Sequence, residues 1–288
     1  MLIAHLSDLH LRDAGDALWL DRQLDRIAAR APDHLAITGD VLDRWVPALL
    51  DRVLDSLDAH GLLNTDRVTI LHGNHDLASG GGHPRRGADL WRLATRFWDP
   101  PPLIRWRRRR FYEQLARRLP GLGMRAPFSK RLSTGLRVAV LDTIPLPWLP
   151  VRIGGRSLVV QHAIGCVRGA QATWLARLPP EPTLLLIHHF PLHTPPFVWS
   201  PERATRLPFT TVRVPMEIPE SDRDRLWAAA QAAGTRLVLC GHVHRARLEH
   251  HGDIAVGLNG QSGAPWAGRT IAWYRLGDDV GMEIERTE

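Results

Sequence analysis

A turn of unusual composition, Gly73-Asn74-His75-Asp76, directly follows the apolar run at residues 68–71. The glycine lets the backbone bend where a buried strand ends, but a turn does not require an amide, an imidazole and a carboxylate in succession. Four other clusters follow apolar runs in the same way: Asp8-Leu9-His10, Gly39-Asp40, His188-His189 and Gly241-His242-Val243-His244. Because these side chains are metal ligands, the clusters predict a metal site.

The clusters supply more donor groups than one cation needs. The seven donors are Asp8, His10, Asp40, Asn74, His188, His242 and His244. A single Zn²⁺ or Mn²⁺ takes about four to six ligands, whereas two cations that share a bridging carboxylate would use all seven donors. In each Asp-x-His or His-x-His triplet, an extended backbone would point both outer side chains the same way and deliver two ligands to one place.

The elements that must position these donors alternate along the chain. Hydrophobic spacing predicts strands at residues 2–7, 34–38 and 68–71, separated by helices at 17–30 and 47–60. This alternation favours right-handed βαβ units with the ligand site at the carboxyl ends of the strands. Further strands are predicted at 137–142, 183–187 and 235–240, helices at 169–178 and 220–233, and tail strands at 254–258 and 270–276, consistent with a second sheet.

Length and composition narrow the class of protein. The 288 residues suffice for one large α/β domain or two small ones. No stretch approaches the ~18 consecutive apolar residues of a membrane-spanning helix, and the N-terminus has no basic leader, so we expect no signal peptide. Two cysteines, Cys166 and Cys240, fit a reducing cytoplasm better than a disulfide scaffold.

The positive charge is concentrated in one segment. Residues 84–131 contain thirteen arginines and one lysine against three acidic residues, while the rest of the chain is mildly acidic. Residues 78–131 are predicted to form an inserted helical cap or lid, with helices near 87–98 and 107–119, and the proline-rich loop 191–219 is predicted to lie near the site. The basic segment fits a solvated helical face, a surface for anionic lipid or nucleic acid, or a lid that attracts phosphorylated substrate.

The five clusters, in this order, resemble those of the calcineurin-like metallophosphoesterases. Ser7 and the segment Gly169-Ala170-Gln171-Ala172-Thr173-Trp174-Leu175 look like the bacterial class III cyclic-nucleotide phosphodiesterase branch. The resemblance covers residues 8–244 and implies a single domain over residues 1–288 with a four-layer α/β/β/α sandwich. It also implies two metal ions, with Mn, Fe and Zn as the candidates.

Motif position assigns the ligands. The resemblance implies one metal held by Asp8, His10, Asp40 and His244. It implies a second metal held by Asp40, Asn74, His188 and His242, so that Asp40 bridges the pair. His188 is chosen over His189 because it directly ends the strand.

The same resemblance implies three catalytic residues. His75 would stabilise or protonate the leaving oxygen, and Asp76 would orient its ring. Arg44 departs from many members of the cyclic-nucleotide branch and resembles the protein phosphatases, where this arginine holds phosphate through bidentate hydrogen bonds.

The expected function is a metal-dependent phosphodiesterase, in which a hydroxide held by two metals attacks phosphorus in line. The first alternative is a pyrophosphohydrolase or phospholipid phosphoesterase at the membrane surface, similar to UDP-diacylglucosamine pyrophosphatases, although those enzymes typically have arginine where this chain has His75. The second is a nucleic-acid-binding protein or nuclease that uses the basic segment. The expected partner is a small nucleotide or amphiphilic phosphate ester in the cytoplasm or at the inner face of the membrane, and the oligomeric state stays open.

Overall fold

The computed structural model describes residues 1–78, 101–120, 125–145, 164–194, 197–199, 212–214, 216–259, 262 and 269–287. The strands are β1 (Leu2–Leu6), β2 (His34–Thr38), β3 (Val68–Leu71), β4 (Phe128–Arg131), β5 (Arg137–Val140), β6 (Thr183–Leu186), β7 (Phe197–Trp199), β8 (Val212–Val214), β9 (Thr235–Cys240), β10 (Arg247–His251), β11 (Ile254–Leu258), β12 (Arg269–Leu276) and β13 (Val280–Thr287). The helices are α1 (Ala14–Arg30), α2 (Pro47–Ala59), α3 (Pro101–Arg118), α4 (Gly169–Ala176) and α5 (Glu220–Ala232), with one 3₁₀ turn at His75–Leu77.

The first sheet has the strand order β13-β12-β1-β2-β3. Strands β1, β2 and β3 are parallel neighbours, with Ile3 opposite His34 and Leu35 opposite Val68. Strand β12 runs antiparallel to β1. The expectation that both tail strands join the second sheet is therefore wrong for β12, because it pairs with the first strand of the chain.

The second sheet has the order β10-β11-β9-β6-β5-β4. Its central strands β5, β6, β9 and β11 are parallel, and antiparallel strands close both edges. The parallel strands of each sheet therefore end together at one edge, which is where the polar clusters begin.

Alternating side chains of β6 and its exit define the layers. Leu184 and Leu186 belong to the main core, which also contains residues of the first sheet and of α1, α2 and α3. Leu185 and Ile187 belong to a second core, formed with α4 and α5. Because neighbouring strand residues face opposite sides, the sheets lie face to face between two helical layers. The predicted α/β/β/α sandwich is confirmed.

Local sequence explains the first two helices. Asp13 caps α1 by accepting hydrogen bonds from the backbone N–H groups of Gly15 and Asp16. Pro47 occupies the first turn of α2, where a missing N–H costs nothing. Leu20 and Leu24, spaced by one helical turn on α1, are buried in the main core.

Helix α3 begins at Pro101, six residues before the predicted start, because prolines 101 and 102 lie in its first turn, where they are tolerated. Phe111, Tyr112 and Leu115 are buried in the main core, so this part of the predicted cap is part of the domain itself. The predicted helix at 87–98 lies outside the described residues.

The last residues of the predicted insert form β4, which pairs antiparallel with β5. Lys130 is the only lysine of the chain. Its side chain reaches from β4 to the start of β3, where its ammonium donates to the carbonyls of Thr65 and Val68. Burial lowers the pKa of Lys130 to about 8.

Within residues 191–219, strands β7 and β8 pair antiparallel as a two-stranded sheet, and Phe190 forms a parallel bridge with Glu217. The rest of this loop lies mostly outside the described residues, so its place near the site stays a prediction. Among the helices that the structure describes, none is long and apolar enough to cross a membrane.

Candidate metal centre

The exits of the first sheet bring three polar clusters together. Beyond β1 and β2, the pairing continues as backbone hydrogen bonds from Asp8 N–H to the carbonyl of Gly39 (3.0 Å) and from His10 N–H to the carbonyl of Asp40 (2.9 Å). The exit of β3 contributes His75, whose N–H donates to Oδ1 of Asp40 over 2.8 Å. The first two exits are therefore fixed to each other by the main chain, and the third is fixed to them through the carboxylate of Asp40.

The second sheet supplies its donors from the facing edge. His188 follows β6, and its carbonyl accepts the N–H of Gly241, which follows β9 (3.0 Å). The ring Nδ1–H of His188 donates to the carbonyl of Thr38 in the first sheet (2.8 Å), which directs Nε2 into the space between the sheets.

Asp8, His10 and His244 form the first donor group. Nε2 of His244 lies 3.2 Å from Oδ1 of Asp8 and 3.4 Å from Nε2 of His10. Nε2 of His10 lies 3.8 Å from Oδ2 of Asp40, which extends the group towards the bridging carboxylate. This arrangement fits the first predicted ligand set.

Asp40, His188 and His242 form the second donor group. Nε2 of His188 lies 3.4 Å from Oδ2 of Asp40 and 3.0 Å from Oδ1 of Asn74. By contrast, Nδ1 of His189 lies 2.8 Å from the hydroxyl of Thr143. The geometry thus favours His188 as the ligand, and all seven predicted donors converge at one edge of the sandwich.

The triplets deliver their ligands by a different backbone geometry from the extended one that the spacing suggests. Five candidate ligands have positive φ angles: Asp8 (55°), His10 (46°), Asp40 (49°), His242 (71°) and His244 (55°). The left-handed conformation is uncommon outside glycine, and its concentration here marks a functional site.

Two glycines allow the close packing of these turns. A Cβ on Gly73 would lie 2.1 Å from Oδ1 of Asp40, and one on Gly241 would lie 1.8 Å from Oγ of Ser7 and 2.4 Å from Oδ2 of Asp8. These motif glycines are needed because the backbone approaches the carboxylates directly.

The electrostatics of the site fit cation binding. Burial raises the pKa of Asp8 and of Asp40. The charges of nearby histidines, led by His244 at Asp8 and His188 at Asp40, lower each pKa by more than burial raises it, so both carboxylates are ionised. Burial alone would lower the pKa of His188, but Asp40 raises it to about 9. The two fully buried carboxylates therefore require positive charge close by. Metal ions can supply that charge while the imidazole ligands stay neutral.

The expected role of Asp76 is wrong. Its carboxylate accepts hydrogen bonds from the backbone N–H groups of Val41 (3.2 Å), Leu42 (2.7 Å) and Gly73 (2.7 Å). Burial and the charge of Asp40 raise the pKa of Asp76 to about 7. It therefore holds two ligand turns together instead of orienting the ring of His75.

Asp43, which the sequence reasoning missed, takes that position. Its carbonyl lies 3.2 Å from Nδ1 of His75, and its Oδ1 lies 3.8 Å from the same nitrogen and 3.7 Å from Nδ1 of His10. Its position could have indicated it, because Asp43 lies three residues after Asp40 in the segment that follows β2.

The three predicted catalytic residues therefore lie in different surroundings. The ring of His75 meets that of His10 edge to face at 4.6 Å, and its side chain is 14% exposed, at the mouth of the centre. Arg44 is exposed and has no hydrogen bond or ion pair with any described residue, so its contact with phosphate stays a prediction.

Comparison with known proteins supports the reading of the site. Residues 1–246, which include every candidate ligand, match the calcineurin-like phosphoesterase family. A dimetal phosphatase from Danio rerio superposes with a TM-score of 0.60 at 12% identity, covering 99% of this chain and 96% of that one. GAP50, described as the anchor in the inner membrane complex of Plasmodium, gives 0.52 at 11% identity, covering 99% and 84%.

At these identities the structural likeness shows the fold alone, and no curated protein matches the sequence. The family match covers most of the chain and spans the whole donor set. The chain therefore belongs to the calcineurin-like phosphoesterase family and is a metallophosphoesterase.

Proposed function

We propose that the chain hydrolyses phosphodiesters with two metal ions held at the carboxyl edge of its two sheets. The observation that carries the proposal is the convergence of two donor groups on the single carboxylate of Asp40. One group is Asp8, His10, Asp40 and His244, and the other is Asp40, Asn74, His188 and His242. Two cations there would act as Lewis acids and activate water.

His75 supplies the proton that the leaving oxygen needs. Its Nδ1–H is held by the carbonyl of Asp43 (3.2 Å), and the Asp43 carboxylate lies 3.8 Å from the same nitrogen. The backbone N–H of His75 binds Asp40, which fixes the distance between the acid and the donor groups. Its Nε2 transfers the proton as the bond from phosphorus to the leaving oxygen breaks.

One feature supports diester over monoester hydrolysis, which is the resemblance of Ser7 and residues 169–175 to the cyclic-nucleotide phosphodiesterase branch. Arg44 resembles instead the arginine that holds phosphate in the protein phosphatases, so a phosphate monoester is the alternative substrate.

The test compares bis-p-nitrophenyl phosphate with p-nitrophenyl phosphate in the presence of Mn²⁺. We expect a higher kcat/KM for the diester, activity that chelation abolishes, and a loss of at least about 10³-fold in Asp40→Asn, since both donor groups share this carboxylate. Asp51→Asn, an exposed aspartate on α2, is the matched control and should keep full activity.

Faster turnover of the monoester would overturn the diester preference while leaving hydrolysis in place. Full activity in Asp40→Asn would overturn the metal mechanism itself.

A further inference from the structure

Helix α3 presents one face to solvent. Pro102, Arg105, Trp106 and Arg109 follow the i, i+3, i+4, i+7 spacing of a single helical stripe. The tryptophan is 46% exposed, among the most exposed large hydrophobic residues of the described chain, and the side chain of Arg109 is 70% exposed. These four residues are called the Trp106 face below.

The arginines of this face are distinct from those that hold α3 in place. Arg107 is buried and donates to the carbonyl of Leu77 (2.7 Å), and Arg108 pairs with the buried Asp142 (3.0 Å). Arg109 pairs with Glu113, an exposed i,i+4 pair that contributes little to stability. The Trp106 face is therefore free to serve something other than folding.

The face adjoins the candidate metal centre. The ring of Trp106 meets that of Trp45 edge to face at 6.4 Å. The backbone N–H of Trp45 donates to the carbonyl of Ala78 (2.9 Å), which lies just after the 3₁₀ turn that carries His75. It also follows Asp43 by two residues, with the exposed Arg44 between them. The same side of the molecule thus carries the mouth of the site and the Trp106 face.

We infer that the Trp106 face docks the protein onto anionic phospholipid bilayers. An exposed indole flanked by arginines matches the bilayer interface, where the ring enters the headgroup layer and guanidinium groups attract anionic lipid. The face extends only about 10 Å along the helix. That length favours a lipid surface over a nucleic-acid strand, which is bound along a longer track of cations and stacked rings.

The docking is independent of the proposed hydrolysis. Only its consequence rests on that function: a docked molecule would direct its site towards phosphate esters whose hydrophobic part lies in the bilayer. The substrate class would then be amphiphilic phosphate esters.

The experiment is co-sedimentation with vesicles of phosphatidylcholine containing about one-third phosphatidylglycerol, and with vesicles of phosphatidylcholine alone. We expect binding to the anionic vesicles that weakens with added salt. Arg105→Ala with Arg109→Ala should lower the partition coefficient by about 25-fold, since each interfacial arginine contributes about fivefold. Trp106→Ala should lower it by about fivefold or more.

Arg225→Ala with Arg275→Ala is the matched control, because both residues are exposed arginines remote in sequence from α3. The control should bind vesicles like the parent protein, and every variant should keep the parent circular dichroism and the parent rate on soluble bis-p-nitrophenyl phosphate. Because that rate is measured without lipid, it reports the proposed function separately from docking.

Three results would overturn the inference. These are absence of binding to anionic vesicles, an equal loss of vesicle binding in the control variant, and tighter binding to a single-stranded oligonucleotide than to the vesicles.

Discussion

At the scale of single residues, the candidate ligands hold a backbone conformation that opposes local stability. Among the described non-glycine residues, only Ala31 shares the positive φ of Asp8, His10, Asp40, His242 and His244. Such a conformation costs about 1 to 2 kcal/mol per residue. The surrounding main-chain hydrogen bonds between strand exits maintain it.

Replacing His75 separates proton transfer from metal binding. We expect His75→Ala to keep its affinity for Mn²⁺ and to lose about 10² to 10⁴-fold in kcat, because the ring acts on the leaving oxygen. Calorimetric titration with Mn²⁺ and steady-state rates on the diester measure the two effects. His193→Ala removes a largely exposed histidine and serves as the control.

His75 also lies within reach of the nitrogen of His10 and the carboxylate of Asp40. Loss of Mn²⁺ affinity in His75→Ala would therefore mean that His75 is a ligand and that another group supplies the proton.

Sequence patterns could predict the donor types but not every role. A strand exit places Asp40 and His188 at a common edge, so their chemistry follows from position alone. The contacts that Asp43 and Asp76 make could not be predicted, because they depend on how each turn curls. Asp76 turns back to three backbone amides, while Asp43 faces the two rings.

At the scale of elements, part of the arginine-rich run on α3 pairs with a buried carboxylate. Asp142 follows β5, in register with His188 after β6, and is only 3% exposed. Its carboxylate binds Arg108 (3.0 Å) and Arg168 (3.2 Å), and the N–H of Ile144 donates to it (2.9 Å). The network joins α3 to the second sheet next to the candidate centre.

Breaking this network should destabilise the fold. Asp142→Asn leaves the guanidinium of Arg108 without its counter-charge, so we expect a loss of about 3 kcal/mol in the free energy of unfolding, measured in urea. This value is at the lower end of the range for removing one partner of a buried ion pair, because Arg168 is 39% exposed and can be hydrated.

Glu113→Gln is the control on the same helix, since it removes exposed pairs with Arg109 and Arg110 and should cost less than about 1 kcal/mol. Equal losses in the two variants would show that Asp142 contributes no more than a surface pair.

The central elements could be predicted, and those at the edges could not. Strands β2, β3 and β9 match the predicted bounds because continuous apolar runs mark buried parallel strands. Strands β4, β10 and β13 were missed because edge strands expose much of their surface and carry charged residues that hide the pattern.

At the scale of the whole molecule, buried neutral histidines make stability depend on pH. Burial lowers the pKa of His5 and His34 to about 3, and that of His72 to about 4. In the unfolded chain each titrates near about 6.5. Below that pH the unfolded state binds protons that the folded state does not, so stability falls as the pH falls from about 6.5 towards these values.

His34 allows this effect to be isolated. Its Nδ1–H donates to the carbonyl of Asp66 (2.8 Å), and its Nε2 accepts from the hydroxyl of Thr69 (2.9 Å). Between pH 7.5 and 5, we expect His34→Gln to lose about 2 kcal/mol less stability than the parent, because one titrating group is gone. Urea unfolding of metal-free protein at the two pH values measures the difference.

The other titrating groups are common to both proteins and cancel in that comparison. His193→Gln, which removes a solvent-exposed ring, should follow the parent curve. A His34→Gln curve parallel to the parent would show that His34 is protonated inside the fold.

The solitary Lys130 also makes the chain unusual towards reagents that act on amines. Lys130 is the only lysine of the sequence, and its ammonium is occupied by the carbonyls of Thr65 and Val68. A lysine-specific protease would find one peptide bond to cut, inside β4, and could reach it only when that strand detaches. The rate of this single cleavage would time the opening of the sandwich at that edge.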